Sequence, residues 1–199
     1  MSPDAAIERL KHFAIRLIDW NRRVSNLVSH NDEKRIVERH IAESVEPAAW
    51  LKASPATRWL DFGSGGGLPA IPLAIVGVGP RWTLVESRRM KTLFLRKTVE
   101  TLELQNIDVV ASRLETMANE VERGEPFDGF TSRATIALTP TLLLAARFVA
   151  PGGVAFLWKG SQRESEMKAD PRWQDCWELD GLLGIGEGQT AVARFTRRA

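Results

Sequence analysis

A chain of 199 residues is long enough for one well-packed domain with a small appendage. Its hydrophobic content of 44% and charged content of 26% are those of an ordinary globular protein, and a net charge of +2 leaves any nucleic-acid affinity to a local patch. Cys176 stands alone, no 18-residue apolar run is present and the first residues do not read as a signal segment, so the expectation is a soluble, cytoplasmic, monomeric protein with neither membrane nor metal partners.

In chain order, residues 3–20 place Ile7, Leu10, Ala14, Leu17 and Ile18 on one helical face, with Ser2 as the cap and Pro3 in the first turn. A polar stretch around Ser29–Glu33 precedes a second helix through Ile36, Val37, Ile41 and Val45, closed near Pro47. From Arg58 strands alternate with helices. Strands are expected at Arg58–Phe62, Trp82–Glu86, Ile107–Ala111, Gly129–Ser132 and Val154–Trp158. Pro69 and Pro72 fit the first turn of the helix after strand one, and Leu93, Phe94, Leu95, Thr98, Val99 and Leu102 form the inward face of the next. Leu142–Val149 reads as a helix stopped by Pro151-Gly152-Gly153, and Leu179–Ile185 with Ala191–Thr196 as an antiparallel pair around Glu187-Gly188. Repeated β-α units imply an α/β fold: a mostly parallel, Rossmann-like sheet with helices on both faces. Residues 1–52 are expected to cap a single domain spanning 53–199.

The sharpest local signal is Leu60-Asp61-Phe62-Gly63-Ser64-Gly65-Gly66-Gly67, between a buried strand and a helix. Glycine permits a tight turn and close approach of a ligand to the backbone. A dinucleotide fingerprint, G-x-G-x-x-G, would need its third glycine at position 68, which is Leu68. A nucleoside cofactor without a pyrophosphate fits better, and S-adenosylmethionine is such a molecule. Asp61 is placed to meet its ammonium, directly or through water, and Glu86, ending strand two, to accept from its ribose hydroxyls.

What receives the methyl group is narrowed by missing motifs. Strand four ends in Phe130-Thr131-Ser132-Arg133-Ala134 rather than in the Asn-Pro-Pro or Asp-Pro-Pro of exocyclic-amine methylases, and Cys176 lies far down the tail. A ring nitrogen with its own lone pair needs orientation rather than a base, so no general base is assigned. Residues 81–97 hold Arg81, Arg88, Arg89, Lys91, Arg96 and Lys97 against Glu86 alone, a patch able to neutralise RNA phosphates. Its competing reading is a solvated helix face.

Taken together, Gly63-Ser64-Gly65-Gly66-Gly67-Leu68-Pro69-Ala70-Ile71-Pro72-Leu73, Asn26-Leu27, Arg39-His40-Ile41 with Glu43-Ser44, Arg113 with Glu115, Phe127-Asp128, Ser132-Arg133-Ala134 and Lys159-Gly160 resemble the RsmG (GidB) family. These are bacterial methyltransferases of guanine N7 in 16S ribosomal RNA. Ala70, Glu43, Glu86, Met90-Lys91 and Val28 depart from the family's usual residues. The resemblance implies a class I S-adenosylmethionine methyltransferase fold and 16S rRNA or the small ribosomal subunit as partner. It also implies cofactor contacts at Gly63, Leu68, Leu114, Glu115 and Arg133, in addition to Gly65 and Glu86 read from the turn and from strand two, with Arg133 as the positioning candidate at the methyl-transfer point. Arg88, Arg89, Lys91 and Lys159 are the RNA-binding candidates, and His40 is given a structural or RNA-positioning role. The alternative is a methyltransferase of another RNA, a protein or a small molecule.

Overall fold

The computed structural model describes residues 2–29, 32–121, 125–186 and 189–199. Helix α1 (Pro3–Arg23) begins at Ser2, whose hydroxyl accepts from the Ala5 amide and satisfies one donor that the first turn leaves without an intrahelical partner. Its buried face is Phe13, Ala14, Leu17 and Asn21; Ile7, at the edge of the expected stripe, is half exposed.

Where the sequence predicts one further helix, the structure has a 3-10 turn (Glu33–Arg35), a π-helical turn (Ile36–Ile41) and helices α2 (Ala42–Val45) and α3 (Ala48–Lys52). The π turn explains why the expected stripe fails at Val37. Its i→i+5 repeat carries Ile36 and Ile41 to the same buried side and leaves Val37 in solvent.

The alternating region runs β1 (Arg58–Phe62), α4 (Ala70–Ile75), β2 (Arg81–Glu86), α5 (Arg89–Thr101), β3 (Ile107–Ala111), α6 (Leu114–Val121), β4 (Phe127–Arg133), α7 (Leu138–Ala145), β5 (Val149–Lys159) and α8 (Arg163–Ala169). A 3-10 turn (Pro171–Asp175) leads to β6 (Trp177–Ile185) and β7 (Thr190–Arg197). The seven strands lie in the order β3-β2-β1-β4-β5-β7-β6. Strands β1 to β5 are parallel, and β7 runs antiparallel to both β5 and β6. The antiparallel tail pair is present as expected; its turn at Glu187-Gly188 lies outside the described residues.

One boundary is corrected. The helix expected over Leu142–Val149 is α7, four residues earlier, and Val149 already belongs to β5. Pro140 sits in the first turn, where its missing N–H costs nothing, so it does not delay the helix. Pro151-Gly152-Gly153 interrupts the strand rather than preceding it: Phe127 pairs with Val149 and Gly129 with Val154, and the residues between bulge out with Gly152 at φ +79°. In α5 the buried face is Thr92, Phe94, Leu95 and Thr98, while Leu93 is exposed.

The sheet separates two apolar layers. One holds Trp59, Trp82, Leu84, Phe156 and Trp158 of the strands together with Phe13, Leu17, Ile36 and Ile41 of the N-terminal segment. The other holds Leu60, Val85, Phe130, Ala155 and Leu157 under Leu114, Leu138 and Leu142. Five of the seven tryptophans are buried, and every one of these five donates its indole N–H to a backbone carbonyl: Trp59 to Ala56, Trp82 to Val78, Trp158 to Glu43, Trp173 to Met167 and Trp177 to Leu142. Burying a large ring is favourable only when its polar edge finds such an acceptor, so these rings are core. Strand order reverses between β1 and β4, so their carboxyl ends open onto a crevice at the switch point of the sheet, where α/β folds bind ligands.

Candidate functional site

The glycine-rich turn begins where β1 ends and is fastened to β2. Gly63 and Ser64 donate their amides to the Val85 carbonyl at 3.0 and 3.1 Å, and the Gly65 amide donates to Glu86 Oε2 at 3.0 Å. Glu86 Oε1 accepts from the Arg88 amide at 2.8 Å. The Glu86 carboxylate therefore has a structural task that the sequence does not show: it ties the turn to the end of β2. Each of its oxygens keeps acceptor capacity beyond that one bond, so a ribose contact remains open to it.

Two glycines are required here for different reasons. Gly63 has φ +68°, and a Cβ at that position would lie 2.6 Å from Thr135 Cγ2, a distance that real side chains do not tolerate. Gly65 has φ +51° but no crowding: a Cβ there would stand 3.7 Å from Gly63 O and 3.8 Å from Lys91 Nζ, ordinary contact distances. Gly66 is covered from the other side by Leu17 and Leu27, so the N-terminal segment packs directly on the turn. That segment is held by Asn21, whose Oδ1 accepts from the Leu27 and Val28 amides at 2.7 and 3.0 Å, and whose Nδ2 donates to Glu33. Glu33, the end of the expected polar stretch, is buried and also ion-paired to Arg22.

Behind the turn, Asp61 is 1% exposed. Its Oδ1 accepts from Thr131 Oγ1 at 2.7 Å, while no protein donor among the described residues reaches Oδ2. Burial pushes the carboxyl up to about 7 against the opposing effects of the Thr131 and Ser64 hydroxyls beside it. An orphaned, buried carboxylate oxygen beneath the turn fits a cationic ammonium or a bridging water, as the donor chemistry of a methionine end group requires.

A cleft of about 470 Å³ opens at the carboxyl ends of β1 to β4. Gly63, Glu86, Arg88, Lys91, Arg113, Leu114, Glu115 and Thr135 are among the residues that line it. Six of the predicted site residues, Gly63, Glu86, Arg88, Lys91, Leu114 and Glu115, are thus brought to one place from three different turns. Leu114 and Glu115 are the first residues of α6 rather than a plain loop; Leu114 is fully buried at the base and Glu115 exposed at the rim. Leu68 is not among the lining residues: it is half-buried and packs against the apolar layer on the N-terminal side.

Arg133 also lies outside this cleft. Its guanidinium donates to Glu43 Oε2 at 2.6 Å, to the His40 carbonyl at 3.2 Å, to Ser44 Oγ at 3.3 Å and to His40 Nδ1 at 3.1 Å. Asp128, at the other end of β4, has separate work: it accepts from the Thr57 amide and hydroxyl and the Arg58 amide, anchoring the start of β1. Burial, reinforced by Arg133, lowers the His40 pKa to about 4, so the ring is neutral near pH 7. Because Nδ1 accepts from the guanidinium, the proton resides on Nε2, which faces Asp32 Oδ2 at 3.9 Å without a hydrogen bond. His40 has no access to act as a base in this arrangement.

The basic patch divides. Arg88, Arg89, Arg96 and Lys97 are exposed along α5 and its approach, and Lys91 is half-buried at the cleft. Arg81 is a correction: it begins β2, at the opposite end of the sheet from the turn, and pairs with Asp108 there. Lys159, by contrast, is engaged internally, donating to the Ile136 carbonyl at 3.0 Å and to Glu166 Oε2 at 2.9 Å. No group of three or more His, Cys, Asp or Glu residues among the described residues is placed to hold a metal ion, and no helix there is long and apolar enough to cross a membrane.

Comparisons with known proteins agree with this geometry. A profile of the GidB family, described as rRNA small subunit methyltransferase G, matches residues 6–177. The chain is similar to the ribosomal RNA small subunit methyltransferase G of Burkholderia cenocepacia, with 37% identity over 168 residues, covering 84% of this chain and 73% of that protein. It is 41% identical over 131 residues to the protein of the same name from Ectopseudomonas mendocina, covering 66% and 58% of the two chains. Among solved structures, cofactor-bound Rv0187 from MTB superposes with a TM-score of 0.66 at 17% identity, over 96% of this chain and 90% of that one. A mutant of MtNAS in complex with S-adenosylmethionine superposes with a TM-score of 0.62 at 17% identity, over 98% and 73%. The structural likenesses bear on the fold, which is that of the class I S-adenosylmethionine methyltransferases, in keeping with the β3-β2-β1-β4-β5-β7-β6 sheet. With the profile spanning most of the chain and relatives above one-third identity, the chain belongs to the rRNA small subunit methyltransferase G (GidB) family.

Proposed function

We propose that this protein transfers a methyl group from S-adenosylmethionine to N7 of a specific guanine in 16S ribosomal RNA, acting in the cytoplasm as a monomer on the RNA or the small ribosomal subunit. The observation that carries the reading is the cleft that gathers Gly63, Glu86, Leu114 and Glu115 at the switch point of a methyltransferase sheet in a chain of this family. When bound, the cofactor supplies an electrophilic methyl carbon on a sulfonium. Gly63 and Gly65 give it close backbone approach, the Glu86 carboxylate holds the ribose, and Leu114 with Glu115 meets the adenine. Leu68 acts through the turn's backbone and packing. Arg133 positions the end of β4 from behind, through Glu43 and His40. Residues 1–52 form a cap on 53–199, a division supported by the apolar layer that both contribute to.

Guanine N7 carries its own lone pair, so direct in-line displacement needs no base. What the protein must supply is alignment of the two reactants, worth up to roughly 7–11 kcal/mol of barrier. An arginine fork on O6 and N7, the usual way of reading guanine, is incompatible with attack through N7. The base is therefore read from its other edge after leaving its stack. Arg88, Arg89 and Lys91 meet the RNA backbone beside the cleft; Lys159 is assigned to the fold of the site.

The test is to incubate the protein with small ribosomal subunits and with free 16S rRNA in the presence of labelled S-adenosylmethionine, and to map the modified nucleotide. Label at guanine N7 is the expected result. Label at an exocyclic amine, or in protein alone, would overturn the proposal.

A further inference from the structure

A second cleft, of about 440 Å³, adjoins the cofactor cleft and shares Ala134, Thr135 and Ile136 with it. Its far wall is formed by Trp158, Lys159, Gly160, Gln162 and Glu166, at and beyond the carboxyl end of β5. This volume falls within the range of small-molecule sites, about 300–1,000 Å³. The two walls are fastened to each other. Lys159 Nζ donates to the Ile136 carbonyl at 3.0 Å, and the Leu138 amide donates to Glu166 Oε2 at 2.8 Å. On the cofactor side, Ser132 Oγ and Thr135 Oγ1 share a hydrogen bond of 2.7 Å. Glu166 Oε2 is thus fully used, by Leu138 and by Lys159 at 2.9 Å, whereas no hydrogen bond from the described residues reaches Oε1. Gln162 is exposed, and its side-chain amide is likewise without a protein partner among those residues.

We propose that this second cleft seats the acceptor guanine, with Glu166 Oε1 accepting from its N1–H and N2 amino group and the Gln162 amide donating to O6. The inference rests on the proposed N7 methylation and identifies where its substrate is read. Three chemical features favour it. The Watson–Crick edge of guanine presents an acceptor followed by two donors, which an amide donor followed by a free carboxylate oxygen complements; adenine offers a lone pair at N1 and no N2 amine, so the carboxylate would repel it. Reading this edge leaves N7 free to face the shared wall and the cofactor beyond. As the N7–methyl carbon bond forms and the methyl–sulfur bond breaks, sulfur takes the bonding pair and the purine becomes cationic, so its N1–H donates more strongly. A carboxylate on that proton therefore stabilises the transition state more than the ground state. Exposed Ile136 gives the base an apolar surface at the cleft's rim.

The test uses small subunits reconstituted with guanosine or inosine at the nucleotide that the wild-type protein modifies, since inosine lacks only the N2 amine. Wild type is expected to lose about tenfold in kcat/KM on inosine, whereas Glu166→Gln is expected to be at least tenfold slower on guanosine but nearly indifferent to the exchange. S-adenosylmethionine affinity should stay at the wild-type value, while Glu166→Gln, which loses its charge pairing with Lys159 but keeps an amide oxygen for the Leu138 amide, should melt a few degrees lower. Gln162→Ala, at an exposed position, provides a second variant free of folding effects and should raise KM for the subunit about tenfold. If wild type methylates guanine N7 but both variants match it, or if Glu166→Gln suffers the same inosine penalty as wild type, the acceptor site lies elsewhere and the inference fails alone. Absence of N7 methylation by wild type overturns the functional reading with it.

Discussion

Replacing Glu43 by alanine isolates the buried link between the N-terminal segment and β4. The Glu43 and Arg133 side chains are 9% and 13% exposed, and their charged atoms lie 2.6 Å apart. Without Glu43, the guanidinium keeps only the neutral acceptors His40 Nδ1, His40 O and Ser44 Oγ. Removing one partner of a buried pair costs about 3–5 kcal/mol, because the remaining charge is left uncompensated. Since about a tenth of each side chain still meets water, the lower end, about 3 kcal/mol, applies. For a chain of this size, each kcal/mol moves the melting temperature by roughly 2–4 °C, so Glu43→Ala should melt about 6–12 °C below wild type. Urea unfolding should give the same loss with an unchanged slope. Removing both charges, as in Glu43→Leu with Arg133→Met, should recover part of it, since an apolar pair leaves no charge behind. A shift below about 2 °C for Glu43→Ala would show that solvent screens the pair as it does a surface ion pair, and would refute the reasoning. Cofactor titration of the same variants distinguishes positioning from contact. Equal, modest losses in Glu43→Ala and Arg133→Met fit Arg133 acting through the N-terminal segment, whereas loss in Arg133→Met alone makes it a ligand.

Three further outcomes are expected. Gly63→Ala should lose cofactor binding and about 1–2 kcal/mol of stability from its positive φ alone, with displacement of Thr135 in addition; Gly65→Ala carries the same backbone penalty but has room for its methyl, so titration should find its affinity much less affected. Asp61 has a folded pKa above its unfolded value, so ionising it opposes folding: stability should fall as pH rises from about 4 to 7, by at most about 4 kcal/mol, and Asp61→Asn should flatten that profile in urea titrations at several pH values. Arg88→Glu with Arg89→Glu should weaken RNA binding and reduce its dependence on salt; an unchanged slope of log affinity against log salt would place the RNA on another face.

Much of the fold is legible in the sequence because β-α alternation is a local signal. The strands Arg58–Phe62 and Ile107–Ala111 begin and end where hydrophobic runs and their flanks place them. The turn is legible for a similar reason, since three alternating glycines directly after a buried strand have few uses. Boundaries go astray where a local signal has two outcomes. Pro151-Gly152-Gly153 breaks regular structure in either element, and only the pairing of Phe127 with Val149 decides that the break is a bulge within a strand. Val37 misleads because apolar spacing of four and of five residues looks alike until the turn is known to be π. Arg81 shows a different limit: proximity in sequence to a basic run says nothing about which end of a strand a residue occupies.

The site itself is legible as a set of residues but not as a set of partnerships. Glu86 reads as a cofactor acceptor, yet its first partners are the Gly65 and Arg88 amides, so the proposed ribose contact would be built on a carboxylate that folding has already oriented. Arg133 reads as a ligand, yet its acceptors lie about ninety positions earlier in the chain, a separation at which no pattern in one sequence reveals pairing. The same holds for Glu166, which escapes notice because nothing near it in sequence marks it; its links to Leu138 and Lys159 exist only once α7, β5 and α8 are assembled. In each case a side chain proposed to meet ligand, or to stand behind one that does, is first held by backbone amides or by an opposite charge. Preorganisation of this kind is what a reaction without acid-base chemistry requires. When the nucleophile already carries its lone pair, rate depends on how little the two clefts must move to align N7 with the methyl carbon. The shared segment Ala134–Ile136, bonded on one side through Ser132 and on the other through Lys159, is the element that would fix that alignment.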